Sequence, residues 1–245
     1  MIALILAAGY GTRMVPLTEK TPKALLPVAG RPILAHLLDR ILVPSADIEE
    51  IVLVSNSRFA EQFRRWFQSA NLAVPWRVLD DGSTSEADRL GSVGDLAFAV
   101  RACGPEKEFL VGGSDNLFEE PADGFLSFAR RCGCITLGAY LLADDELASR
   151  YGVLSIGPDG RITAFVEKPK DPPSRLVSTA IYFFPRTAVP RVLEYVSSRE
   201  TADTLGSFIS WLIVREPVFA YRFRGAWFDI GDVTSYRNAQ ESFRP

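Results

Sequence analysis

Histidine is almost missing from these 245 residues; there is one, His36. It falls within a helical pattern, so it reads as structural and leaves no histidine for acid–base work. Cysteine is sparse as well, at three residues, Cys103, Cys132 and Cys134. An odd number without framework spacing excludes a disulfide scaffold. Cys132-Gly133-Cys134 has no second pair and no histidine nearby, which leaves a tetrahedral zinc site short of ligands. Free thiols in a reducing cytoplasm are the expected setting. An excess of one charge is missing too. Lysine and arginine total 27 against 30 aspartates and glutamates, so neither nucleic acid nor an anionic membrane is an expected partner. Long hydrophobic runs are absent. The apolar start at residues 1–9 lacks the basic flank of a signal peptide and is too short to span a bilayer. It reads as a buried strand. Low-complexity tracts and internal repeats are also lacking.

What remains is an ordinary globular composition, 47% hydrophobic and 23% charged. Strand-like apolar runs at 2–6, 51–54, 76–79 and 109–111 alternate with helical patterns at 32–43, 58–67 and 93–102. After about residue 140 the texture changes. A hairpin is expected over 153–156 and 161–167 around Gly157-Pro158-Asp159-Gly160. A strand at 177–184, helices at 188–197 and 203–213 and a strand at 218–223 follow. The alternation predicts an α/β fold, a Rossmann-like three-layer α/β/α arrangement with a mixed, mostly parallel sheet and a small substrate lobe. No Pro/Gly/Ser-rich linker divides the chain, so residues 1–245 are expected to form one domain with two functional halves, 1–140 and 141–245.

The most informative segment runs from Leu6-Ala7-Ala8-Gly9-Tyr10-Gly11-Thr12-Arg13 to Pro16-Leu17-Thr18, then Pro22-Lys23-Ala24-Leu25-Leu26-Pro27. A strand ends in small residues and opens into a loop with two glycines and two cations. In an open α/β sheet ligands bind beyond the carboxyl ends of the strands. Small residues let backbone N–H groups approach phosphate oxygens, and Arg13 and Lys23 supply positive charge. Gly9-Tyr10-Gly11 does not complete a dinucleotide fingerprint, because Met14 holds the third glycine position and no acidic residue follows the second strand. A Walker loop needs Gly-Lys-Ser/Thr, and Lys23 follows Pro22 instead. A plain glycine turn leaves the two cations unexplained.

This segment resembles the signature of the sugar-1-phosphate nucleotidyltransferases, in particular members like glucose-1-phosphate thymidylyltransferase. The resemblance implies transfer of a nucleotidyl group from a nucleoside triphosphate to a sugar 1-phosphate, with thymidine or uridine triphosphate leading and guanosine or cytidine triphosphate as alternatives. It makes 1–140 the nucleotide-binding half and 141–245 the sugar-phosphate half. Leu6, Ala8, Gly9, Gly11 and Thr12 would touch the nucleotide, Arg13 the departing pyrophosphate and Lys23 the phosphates at the reacting centre.

Asp115 follows an apolar strand, and Asp229 sits between Phe228 and Ile230-Gly231. Either alone reads equally well as a turn aspartate. The resemblance makes both ligands of Mg²⁺, with Asp115 also catalytic. Ser114 stands where the family has glycine, and Asp232 where it has threonine. Tyr151-Gly152, Glu167-Lys168-Pro169 and Val177-Ser178-Thr179-Ala180 match the family's acceptor segments. There Glu167 would hold sugar hydroxyls, Lys168 the phosphate, Gly152 would permit close approach of the sugar, and Tyr151 and Thr179 would line the pocket. Ala180 replaces a frequent glycine, which narrows that pocket. Base choice is expected within 80–91, through Asp81 and the backbone of Leu90-Gly91, although Asp80 and Asp81 can equally open a turn before Gly82. Two rival readings stand: a non-catalytic subunit that senses nucleotide sugars, and a phosphocholine acceptor held by Trp211, Tyr182 and Trp227. Homo-oligomerisation is left open.

Overall fold

The computed structural model describes residues 1–198 and 204–244. Along the chain the strands are β1 (Ile2–Leu6), β2 (Pro27–Val28), β3 (Arg31–Pro32), β4 (Glu50–Ser55), β5 (Trp76–Asp80), β6 (Phe109–Gly113), β7 (Asn116–Phe118), β8 (Ile135–Leu141), β9 (Gly152–Ile156), β10 (Ile162–Glu167), β11 (Leu176–Phe184), β12 (Val218–Arg222) and β13 (Trp227–Asp229). The helices are α1 (Ile33–Ile41), α2 (Ala60–Ser69), α3 (Gly91–Cys103), α4 (Asp123–Cys132), α5 (Asp145–Ala148), α6 (Pro190–Ser197), α7 (Leu205–Leu212) and α8 (Val233–Ser242). They form two compact units, one of residues 1–90, 111–123 and 225–245, the other of 91–110 and 124–224.

In the first unit β4 lies between β1 and β5, parallel to both, with Leu4 opposite Val52 and Leu53 opposite Val78. The continuous apolar runs reflect burial on both faces; Ala3, Leu4, Ile5, Val52 and Leu53 are fully buried. Helix α1 starts after Pro32, whose extended backbone (ψ 144°) sets its entry, and buries Ile33, Leu34, Leu37, Leu38 and Ile41. Its histidine is structural, as the sequence implies. His36 Nε2 lies 2.8 Å from the Val28 carbonyl, and its ring meets Phe243 edge-on. A short antiparallel ribbon, β7 with β13, pairs Asp229 with Asn116 and Trp227 with Phe118. Periodicity does not anticipate it.

The second unit contains the expected hairpin. β9 and β10 are antiparallel, closed by Gly157 N–H donating to the Arg161 carbonyl at 2.8 Å. β11 pairs with β8, and β8 pairs in parallel with β12. The register of β11 breaks between Ser178 and Tyr182, where Ala180 takes φ +56°. Stacked aromatics fill this unit: Phe184 on Phe208, and Phe125 on Phe223. Parallel pairing of β1, β4 and β5 in the first unit and mostly antiparallel pairing in the second make the fold the expected α/β class with a mixed sheet. No helix among the described residues is long and apolar enough to cross a membrane.

Candidate functional site

The loop after β1 is shaped by local chemistry. Gly11 adopts φ +65°, and a Cβ there would lie 2.9 Å from Thr18 Cγ2, so the position requires glycine on two counts. Thr18 Oγ1 donates to the Gly11 carbonyl at 2.7 Å and closes the loop. Asn56, buried at the end of β4, donates from Nδ2 to the Ala8 carbonyl at 2.8 Å and accepts from Phe59 N–H at the start of α2. It is not one of the sequence-derived site residues. Its only signal is polarity at the end of an apolar strand. A cavity of about 100 Å³ opens among Leu6, Gly9, Gly11, Lys23, Ser114 and Asp115. Gly9 has nothing within 4 Å of its would-be Cβ, so its backbone faces open space. Thr12 and Arg13 are exposed.

Asp115, Asp229, Lys23 and Arg13 converge here. Lys23 Nζ lies 2.5 Å from Asp115 Oδ2, and Asn116 Nδ2 donates to Asp115 Oδ1 at 2.9 Å. The amide oxygen of Asn116 accepts from Trp227 Nε1 at 2.7 Å. The ribbon brings Asp229 beside this group, where Ile230 N–H donates to the Asp115 carbonyl. A Cβ at Gly231 would lie 3.6 Å from Asp229 Oδ2 and 3.7 Å from both guanidinium nitrogens of Arg13. Burial first, then the Asp115 charge, push the Asp229 carboxyl up to about 7; Lys23 and Arg13 oppose them.

Does this donor set suit a divalent cation? Among the described residues no cluster of three or more His, Cys, Asp or Glu side chains encloses a metal. Two convergent carboxylates beside a phosphate-sized cavity do fit magnesium, which binds through one or two carboxylates and completes its shell with substrate phosphates and water. The geometry also explains Asp232. It caps α8, accepting from Ser235 N–H at 2.8 Å while Ser235 Oγ accepts from Asp232 N–H at 3.0 Å. A threonine would cap in the same way, so the departure leaves the loop intact.

Residues 80–91 are tied up internally. Asp80 Oδ1 accepts from Ser57 Oγ and Gly82 N–H, and Asp81 Oδ1 accepts from Ser83 N–H and Oγ. Asp81 Oδ2 is buried without a hydrogen-bond partner among the described residues. Asp88 gathers the amides and hydroxyls of Thr84 and Ser85, which hold its carboxyl far below the usual range. This is the turn reading of Asp80 and Asp81. Leu90 is exposed, and Gly91 at φ +75° opens α3.

In the second unit the structure joins Tyr151, Gly152, Glu167 and Lys168. Glu167 pairs across the hairpin with Gly152, and Lys168 N–H donates to the Tyr151 carbonyl at 3.0 Å. Lys168 Nζ is 3.7 Å from Glu167 Oε1, and its backbone takes φ +46°. Gly152 has a packing reason to be glycine. A Cβ there would lie 2.2 Å from Phe165 Cζ, so that space belongs to the Phe165 ring. Thr179 is fully buried, at the register break of β11, and its Oγ1 would lie 2.6 Å from a Cβ at Gly138 on β8. Ala180 marks that break with a left-handed backbone, the reason a glycine suits the position. The three aromatics are engaged elsewhere. Trp211 carries the Arg215 guanidinium 4.3 Å over its ring, Tyr182 stacks on Phe184, and Trp227 donates to Asn116. No observation supports a cage for a quaternary ammonium.

The family model described as Nucleotidyl transferase matches residues 2–244. The chain is 32% identical over 231 residues to the mannose-1-phosphate guanylyltransferase catalytic subunit beta of Drosophila pseudoobscura pseudoobscura, covering 94% of this chain and 58% of that protein. It is 29% identical over 249 residues to the UTP–glucose-1-phosphate uridylyltransferase of Synechocystis sp., covering 98% of this chain and 62% of that one. Among solved structures, UDP-glucose pyrophosphorylase complexed with UDP-glucose aligns at TM-score 0.81 and 22% identity, covering 98% of this chain and 97% of the other. The chain spans about three fifths of the length of the curated relatives it matches.

Proposed function

This chain belongs to the nucleotidyl transferase family, and we propose that it joins a nucleoside triphosphate to a sugar 1-phosphate, releasing pyrophosphate. The observation that carries the reading is the convergence of Asp115 and Asp229 with Lys23 and Arg13 beside the glycine loop. Two anions must react, and cations with paired carboxylates at a phosphate-sized cavity answer that need.

An oxygen of the sugar phosphate attacks the α-phosphorus, the bond to the β-phosphate oxygen breaks, and pyrophosphate leaves. The attacking oxygen is already ionised at neutral pH, so no general base is required. Asp115 and Asp229 would hold magnesium, which when bound neutralises charge on the phosphates. The backbone of Gly9 and Gly11 cradles the triphosphate, with Leu6, Ala8 and Thr12 as neighbours. Arg13 stabilises the leaving pyrophosphate. Lys23, which neighbours Asp115, aligns the phosphates. Glu167 accepts hydrogen bonds from sugar hydroxyls, Lys168 pairs with the acceptor phosphate, and Tyr151 lies beside them. Catalysis is positioning and electrostatics within what we read as one nucleotidyltransferase domain.

For the base, uridine or thymidine triphosphate is the expectation from the Asp-Asn-Leu-Phe segment, and the guanylyltransferase relatives add guanosine triphosphate as an equal candidate. With Asp80 and Asp81 engaged in turns, the backbone at Leu90-Gly91 is the proposed reader. The three free thiols accord with a reducing, cytoplasmic setting. The test is pyrophosphate release from the four triphosphates with mannose and glucose 1-phosphates. Binding without release would mean a nucleotide-sugar sensor instead.

A further inference from the structure

Gly206, in α7, carries no functional role so far, yet the acceptor group leans on it. A Cβ at Gly206 would lie 2.1 Å from Glu167 Oε2 and 3.0 Å from both Glu167 Cδ and Phe165 Cε1. Phe165 and Glu167 are two apart on β10 and share a face. Phe165 fills the space left by Gly152, and Glu167 fills the space left by Gly206.

The end of α7 that meets Glu167 is its first turn. There Leu205 N–H donates to Ser92 Oγ and Ser207 N–H to Thr204 Oγ1. Among the described residues the Gly206 amide between them has no such side-chain partner, and Glu167 Oε2 occupies the space where a Gly206 side chain would begin. An anion at a helix N-terminus is favoured by the aligned peptide dipoles and the unsatisfied amides. One carboxylate oxygen, Oε2, therefore faces α7. The other, Oε1, is turned toward Lys168, and about a third of the side chain stays open to solvent.

We propose that Gly206 is a positioning residue of the acceptor site: its missing side chain leaves room for Glu167 Oε2 against the first turn of α7, so that Oε1 is presented to the sugar hydroxyls beside Lys168. This rests on the reading of Glu167 as a sugar ligand. The backbone at Gly206 is helical, so alanine is sterically allowed by the main chain and favoured by propensity. The blocking atom is the tip of a flexible side chain, which can swing away. Gly206→Ala therefore displaces Glu167 without unfolding the helix.

The test uses the full chain, with mannose and glucose 1-phosphates as acceptors. Gly206→Ala should raise KM for the sugar 1-phosphate about ten-fold or more, since a displacement near 1 Å is enough for such losses. KM for the triphosphate should stay within about two-fold, and Tm should be equal or higher. The double variant Gly206→Ala/Glu167→Asp should bind the acceptor no worse than Glu167→Asp alone, because the shorter carboxylate clears the methyl. An active Gly206→Ala protein with unchanged acceptor KM, or strictly additive losses, overturns the proposal. Should Gly206→Ala fail to fold, the Glu167→Ala background decides: restored folding supports the contact, and the same failure overturns it. Wild-type protein that releases no pyrophosphate with either acceptor removes the parent reading and this one with it, whereas an active wild type isolates the question of Gly206.

Discussion

Two carboxylates held close in a partly dehydrated site repel when both are ionised. At Asp229 burial first, and the Asp115 charge second, push the carboxyl up to about 7. Its folded value lies above its unfolded one, so its contribution to stability is complete below about pH 4 and is lost as pH rises through 7. Metal-free wild type should therefore lose Tm between pH 4 and pH 7 relative to Asp229→Asn, which has no proton to release there. The same variant should lose at least about a hundred-fold in turnover, since an amide is a poor ligand for magnesium. Thermal scans at the two pH values, with pyrophosphate assays alongside, check both. A variant that keeps metal-dependent turnover removes Asp229 from the site. The cations separate by kinetics. Arg13→Ala should lower kcat more than it raises the sugar phosphate KM, because its proposed partner is the leaving group, while Lys168→Ala should act mainly on that KM. Unchanged kcat in Arg13→Ala would detach the loop from pyrophosphate.

The β7–β13 ribbon matters more than its three-residue strands imply. It sets Asp229 opposite Asn116 and lets the Trp227 indole hold the Asn116 amide, which in turn holds Asp115. Trp227→Phe keeps the packing and deletes the donor, leaving a buried amide oxygen unpaired at about 1–3 kcal/mol. Outer partners of a metal ligand commonly contribute about 10–100-fold in affinity, so the magnesium requirement should rise by that order. Titrating turnover against magnesium measures it, and an unmoved midpoint would show that the indole has no part in orienting Asp115. The break in β11 gives a second element-scale expectation. Ala180 occupies a left-handed backbone that costs a non-glycine residue roughly 1–2 kcal/mol. Glycine there gives back part of this as unfolded-state entropy, so Ala180→Gly should raise Tm by at most a few degrees. A fall in Tm would mean that the alanine methyl packs better than its backbone suffers.

At the scale of the molecule, two carboxylates and no third acidic partner among the described residues hold a magnesium ion only together with phosphates. Removing metal with a chelator should abolish turnover yet move Tm by no more than about a degree, and magnesium with triphosphate should raise Tm far more than either alone. A large Tm loss on chelation would mean a structural metal instead. The alternation of apolar runs and helical periods determined the α/β class, because burial on two faces writes itself into local pattern. The loop from Leu6 to Pro27 likewise pointed to phosphate chemistry, since small residues and isolated cations carry their meaning in sequence. Tertiary structure alone decided what meets what. Residues 115 and 229 become neighbours through a ribbon whose register no local period encodes. Phe165 claims the space at Gly152, Thr179 is buried against Gly138 on β8, and Asn56 and Trp227 brace groups far away in the chain. A side chain's type and period predict whether it is buried, but which partner fills the space beside it depends on contacts between different segments of the chain.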